Sequence, residues 1–301
     1  MGKVLYREIV YFAYYFSIQF DQIAGYWAVG ILIGSVVSVF LKDRIRAALA
    51  GLANRKPGAF GVIPASLLGI ASPLCMYGTV PIAASLAAGG MREDWLAAFM
   101  MSSILLNPQL LAYSAALGLK MVVLRFVFCL LAGAAAGLCV RLFFRGRQFF
   151  SFGRFEARPS KDVHPNAFVR LAFSIGRNIR ATGPYFLLGV ALTVLYQRYV
   201  PQDRVAGLFG AGGRGFGVLL AATLGVPLYV CGGGTIPLLA EWLHHGMSAG
   251  SGVAFMLSGP ATKFTNLSAV KIVFSARHFA FYLAFVILFS LVSGLAADLL
   301  F

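Results

Sequence analysis

The chain has 301 residues, 59% of them hydrophobic and only 12% charged, and 25 basic against 10 acidic residues leave a net charge of +15. A soluble domain has no room between its apolar runs, and no basic, aromatic-interleaved motif for DNA or RNA accompanies the charge. Instead five basic residues crowd positions 42–56 and nine more lie in 141–180, the pattern of cytoplasmic loops beside anionic lipid.

In chain order, the start carries Arg7-Glu8 and an aromatic run rather than the basic end, apolar core and small-residue cut site of a cleavable signal peptide. Residues 6–22 predict a short aromatic helix and 24–41 a first spanning helix. The apolar segment 60–89 cannot be a smooth helix, because Pro73 and Pro81 flank Cys75 and proline removes a backbone donor while clashing with the preceding turn. Segment 95–118 is interrupted at Asn107-Pro108-Gln109, and 121–143 closes the first half with an apolar run long enough to cross ~30 Å of hydrocarbon. The polar stretch 141–180 still contains Phe149, Phe150 and Phe152. The order then recurs: a short helix at 167–180, a span at 183–199, a segment 216–245 with Pro227 and Pro237 about Cys231 and Gly232-Gly233-Gly234, a segment 251–270 interrupted at Gly259-Pro260, and a last helix at 278–301.

The recurrence is visible residue by residue. The 28 residues from Cys75 match the 28 from Cys231 at 11 positions without a gap, 156 residues apart, including Gly78/Gly234, Thr79/Thr235, Pro81/Pro237 and Ser102/Ser258. Matching helix breaks in two halves of a membrane protein point to a transport site where the halves meet. The fold expected is therefore an all-α polytopic membrane protein of two homologous halves with discontinuous helices meeting at a central site. Its parts are a first repeat at 1–143, a basic cytoplasmic linker at 144–165 and a second repeat at 166–301. If each cysteine segment is re-entrant, both basic loops fall on one side and the repeats are inverted. If each crosses as one broken helix, the loops fall on opposite sides. The charge bias favours inversion.

Broken backbone at membrane depth is tolerated only where protein or a wet cavity satisfies it, so candidate site residues are sought at the breaks. Cys75 and Cys231 each offer a soft thiol to a soft metal or metalloid; the alternative is a small buried hydrophobe, the usual state of free cysteine. Met76 and Tyr77 follow Cys75 in the same lining. Cys129 and Cys139, in a smooth helix, read as packing. Thr79 and Thr235 are expected to cap half-helices starting near Pro81 and Pro237, whose N-termini attract anionic or oxygen-bearing solutes. Asn107, Gln109, Ser258, Thr262, Lys263 and Asn266 are polar groups in apolar segments, which mark either a solute path or tethers for freed carbonyls. Glu241 is a candidate proton-coupling carboxylate, or an interfacial residue beside Trp242, His244 and His245. Gly30, Gly34, Ser35, Ser38 and the run Gly133-Ala-Ala-Ala-Gly137 predict close helix contacts.

Pro73-Leu-Cys75 followed by Gly78-x-x-Pro81-Ile-Ala-Ala-Ser85, with Leu228-Tyr-Val-Cys231 and Gly259-Pro-Ala-Thr262, resembles the predicted-permease family that includes the organoarsenical efflux permeases. The likeness covers nearly the whole chain. It implies a multi-pass permease of the bacterial cytoplasmic (inner) membrane that exports trivalent methyl- or aromatic arsenicals, with cysteine thiols handling the arsenic. Tyr77 and Gly233 stand where the family often carries a second cysteine, which leaves one thiol per half. The expected partners are the lipid bilayer and a small-molecule substrate, a homo-oligomer is compatible with the sequence, and no cofactor or metal site is expected. The chain has no Walker A loop, paired carboxylates or Ser/His/Asp set, so it reads as a non-enzyme driven by a gradient or a partner. The rival readings are a channel or permease for another small solute, such as an anion or metabolite, and a membrane-embedded thiol redox protein.

Overall fold

The computed structural model describes residues 2–40, 44–45, 47–48, 51, 58–72, 76–88, 90–144, 148–152, 166–199, 207–210, 215–229 and 232–300. Every regular element among them is helical. The first half contributes α1 (Gly2–Phe40), α2 (Val62–Ala71), α3 (Met76–Ala88), α4 (Glu93–Leu105), α5 (Pro108–Ser114, extended by a 3₁₀ turn Ala115–Leu117) and α6 (Leu119–Phe143). The second contributes, in matching order, α7 (Ala167–Tyr199), α8 (Phe216–Leu228), α9 (Gly232–His244), α10 (Ala249–Thr262), α11 (Phe264–Val273) and α12 (Ala276–Leu300).

Two sequence expectations are corrected here. The short aromatic helices do not stand apart from the first spans: α1 and α7 are each continuous. On α1 the only interruption near the expected boundary is Gly25, and a lone glycine costs ~1 kcal/mol, which the ring contacts Tyr11–Tyr15, Phe12–Phe16 and Phe16–Phe20 along the same helix offset. The break in the second half's third segment does not fall at Gly259-Pro260 either. Pro260 lies inside α10, which runs on to Thr262 and stops at Lys263 (φ −51°, ψ 133°). Lys263 is the repeat partner of Asn107, 156 residues earlier, and Asn107 is likewise extended (φ −139°, ψ 169°). The two third segments therefore break at one register. At Asn107 the following proline forces the extended conformation and then opens α5 as its first residue. In the cysteine segments the described chain leaves the helix at Ser72 and Tyr229, just before each cysteine, and Ser72 is again the residue before a proline.

Within each half three helices pack mutually, α2 with α4 and α6, and α8 with α10 and α12. Glycine makes this approach possible at equivalent places. A Cβ on Gly137 of α6 would lie 2.6 Å from the Asp94 carbonyl oxygen, 2.9 Å from Val62 and 3.0 Å from Ala98. Its repeat partner, Gly294 of α12, would meet the Gly250 carbonyl oxygen at 2.7 Å, Ala254 at 3.0 Å and the Val218 side chain. Gly133 meets Ser102 and Ser66 in the same way. Small residues let backbones close up where lipid supplies no hydrophobic drive between helices.

Between the halves, α1 and α7 run antiparallel. Arg198 at the end of α7 pairs with Glu8 near the start of α1 at 2.8 Å, Phe186 stacks on Trp27 with ring centres 4.8 Å apart, and Asn178 donates to Ser35 at 2.9 Å. Further inside, α4 packs on α10 and α6 on both α10 and α12, while α3 packs on α11 and α5 on α9. Residues 148–152 of the linker are held by both halves: the Phe149 N–H donates to Glu93 Oε2 at 2.5 Å and the Ser151 N–H to the Val273 carbonyl at 2.9 Å. Phe149 and Phe150 are buried there beside Phe274 and Phe281, over a small apolar crevice. By length and composition α1, α6 and α12 can each cross a membrane, and α4 with α5, joined at a 40° bend, makes a fourth such segment among the described residues.

Substituting Gly137 or Gly294 by leucine is expected to overpack the helix triads and lower the thermal unfolding midpoint of detergent-solubilised protein, at a cost of about 1–3 kcal/mol or more each. Gly25→Ala, where an added Cβ meets nothing within 4 Å, is expected to leave that midpoint unchanged or raise it.

Candidate functional site

The carbonyl end of α10 shows how a helix stops inside a membrane protein. The carbonyl groups of its last turn run out of helical donors, and side chains reach several of them beside the closing backbone bond. Thr262 Oγ1 donates to the Ser258 carbonyl at 2.7 Å, the Lys263 N–H to Gly259 at 3.0 Å, Asn266 Nδ2 to Pro260 at 2.7 Å and the Tyr282 hydroxyl to Ala261 at 2.8 Å. Of the two roles the sequence left open for Thr262 and Asn266, both side chains perform the tethering one. Ser258 is fully buried and its hydroxyl has no hydrogen-bond partner among the described residues, a state shared by its repeat partner Ser102.

The first half uses other groups at the equivalent break. Asn107 caps α5 by accepting from the Leu110 N–H at 2.8 Å. Gln109 donates to the Tyr113 hydroxyl, and the two side chains fill the faces of α1 left bare by Gly34 and Gly30. Thr79 does not cap a half-helix. α3 starts at Met76, so Thr79 lies within its first turns, and its hydroxyl hydrogen-bonds Ser103 of α4 at 3.0 Å. Thr235 is placed likewise inside α9, buried. The helices start earlier than expected, and Pro81 and Pro237 stand at the sixth residue of each, where a proline removes one intrahelical donor without ending the helix.

Several predicted residues fall elsewhere. Cys75 and Cys231 lie outside the described residues, as do the side chains of Met76 and Tyr77. Glu241 sits at the far end of α9 from the break, nine residues along, which is about 13 Å at helical rise. It pairs there with His245 at 2.6 Å. Cys129 is buried and Cys139 half-buried, both with free thiols. Among the described residues no cluster of three His, Cys, Asp or Glu is arranged to hold a metal.

The residue that sequence reading missed is Arg125. It lies in the stretch 121–140, which reads as a plain membrane span because one charge barely alters its mean hydropathy. In the fold it is 1% exposed. Its Nη1 donates to Ser114 Oγ at 2.6 Å, and the Ser114 hydroxyl donates on to the Leu110 carbonyl at 2.7 Å. Its Nε and Nη2 have no hydrogen-bond partner among the described residues. The signal available in the sequence was a lone arginine in the middle of an apolar run, expensive at membrane depth and therefore functional or paired by default.

Taken together, the breaks present hydroxyls, amides and carbonyls, with Lys263 at one and Arg125 near the other.

A sequence family described as a predicted permease matches residues 22–299. The UPF0718 protein YcgR of Bacillus subtilis is 33% identical over 94 residues, an alignment that covers 31% of this chain and about a third of that relative (32%). No solved structure matches.

Tyr282→Phe is expected to strand the Ala261 carbonyl and destabilise the fold by about 1–3 kcal/mol, read as a lowered unfolding midpoint. Asn107→Ala is expected to cost about 1 kcal/mol through the lost cap, and Asn107→Asp much less.

Proposed function

The chain belongs to the predicted-permease family, and from that premise we propose that it carries a small solute across the bilayer through a site between its two halves. The observation that carries the reading is the crossing of half-helices. α3 of the first half packs on α11 of the second, α9 packs on α5, and α5 and α11 both begin at the shared register of Asn107 and Lys263. Broken segments from each half thus adjoin one another, the arrangement in which transporters place their binding sites.

The repeats, 1–143 and 166–301, are proposed to be inverted. The antiparallel course of α1 and α7, equivalent helices of the two halves, supports this, as does the concentration of basic residues in two loops. The linker 144–165 is then cytoplasmic and the protein a multi-pass component of the bacterial inner membrane.

The proposed cargo is a small organoarsenical or a related soft solute moving outward, with Cys75 and Cys231 as thiol contacts. Met76, Tyr77, Thr79, Asn107, Gln109, Thr235, Ser258, Thr262, Lys263 and Asn266 line or brace its path, and Glu241 is the candidate for proton coupling. Proteoliposomes containing the purified chain are expected to show counterflow of methylarsenite, and an arsenic-sensitive bacterial strain expressing it to gain resistance. Cys75→Ser and Cys231→Ser should each abolish both; unchanged resistance in the two variants would sink thiol ligation. Glu241→Gln should remove solute-driven pH change, and coupling that persists in it excludes Glu241. One observation favours a second reading, a permease for a small anion: the buried guanidinium of Arg125.

A further inference from the structure

We propose that Arg125 anchors an anion site inside the first half, taking the carboxylate or oxyanion group of a small solute; that the bound anion is cargo rests on the permease reading, whereas its binding does not.

Arg125 places a guanidinium in the interior of a spanning helix. An unpaired charge there costs several kcal/mol. Cys129, one turn on along α6, faces the guanidinium with a thiol, a weak hydrogen-bond partner, and the acids that the structure describes do not supply a carboxylate. Glu8 pairs with Arg198, Asp94 with Arg92 and Arg141, and Glu241 with His245. Glu93 accepts from the Phe149 N–H, Asp298 from Ser248 and Gly250, and Asp21 is exposed.

The two free donors are adjacent. Nε and Nη2 form one edge of the guanidinium plane, with parallel N–H bonds at the spacing of two oxygens of a carboxylate or oxyanion. The opposite corner, Nη1, is held by Ser114, which fixes the plane. Depth follows from the packing. α6 runs antiparallel to α4, with Gly137 against Asp94 and Gly133 against Ser102. Eight residues before Gly133, Arg125 is level with the break between α4 and α5.

The repeat supplies an internal control. Counting by the offset that relates Gly137 to Gly294, the partner of Arg125 is Tyr282. Tyr282 closes the carbonyl end of α10 with a single neutral hydroxyl. The packing position therefore does not demand a cation. The first half carries one with two donors to spare, and a bound anion accounts for both the charge and the donors.

The test uses the purified full chain in detergent and chloride-free buffer. Methylarsonate, inorganic phosphate and acetate serve as anionic probes and methylarsenite as a neutral one, with binding read by titration calorimetry and by the shift of the unfolding midpoint. Saturable binding of at least one anion is expected in the parent protein, weakened about tenfold or more in Arg125→Gln. In Arg125→Lys, which keeps the charge but not the planar fork, bidentate anions should weaken while the fold is retained. Binding of methylarsonate but not phosphate would assign the site to an arsenic-bearing anion, and binding of all three to a general anion. No binding by any anionic probe overturns the proposal, as does undiminished affinity in both Arg125 variants. Should Arg125→Gln fail to fold, the Arg125→Lys comparison decides alone. Anion binding without solute counterflow would sink the transport reading and leave the site standing.

Discussion

At membrane depth every carbonyl that a broken helix releases must be met by protein or by water in a cavity, since lipid offers no donor. The end of α10 depends on this more directly than any other part of the molecule. Thr262, Asn266 and Tyr282 come from three different elements, yet their donors converge on carbonyls of one turn. Because these groups close the turn, α10 can stop and α11 can start in a new direction without stranding polar backbone. That change of direction lets α11 reach α3 of the other half. The side chains at the break are thus the condition for the packing of α11 on the other half.

The halves share a frame and differ in its polar fittings. Gly137 and Gly294 admit the same trio of neighbours, which sets the helix spacing in both. At the ends of the same helices the charges change places. In the first half Asp94 of α4 is met by Arg141 of α6 at 3.6 Å. In the second the acid is Asp298, on the helix equivalent to α6, and it accepts from the Gly250 N–H at 2.6 Å. Each arrangement puts a carboxylate at the N-terminus of α4 or α10, where the helix dipole favours it. The constraint is electrostatic, so it fixes the charge at that spot and leaves open which helix supplies it.

The linker is more than a tether. Its aromatic stretch is hydrogen-bonded to α4 on one side and to the end of α11 on the other, and Phe149 and Phe150 pack among Phe144, Phe274 and Phe281. Composition marks residues 141–180 as polar and basic, and from that alone the stretch reads as a loop over the surface. Its phenylalanines are what seat it between the halves.

Much of the frame was legible in the sequence. Apolar runs of spanning length announced the membrane, and the paired Gly, Thr and Pro positions around Cys75 and Cys231 announced two broken halves. Small residues at Gly30, Gly34 and 133–137 marked close contacts, because only glycine lets backbones touch. These features are local: proline, glycine and hydrophobic length act within a few residues of themselves. Where α10 ends was not legible, since Pro260 is the strongest local breaker and yet the helix continues two residues past it to partners on α11 and α12. The task of Thr79 was hidden for the same reason, its hydroxyl being claimed by Ser103 across a helix interface instead of by its own backbone. Arg125 is the clearest case. The sequence determined that one arginine lies in an apolar helix; only the tertiary structure decided that it is buried with no carboxylate beside it among the described residues, because the cost of a charge is set by what surrounds it in space.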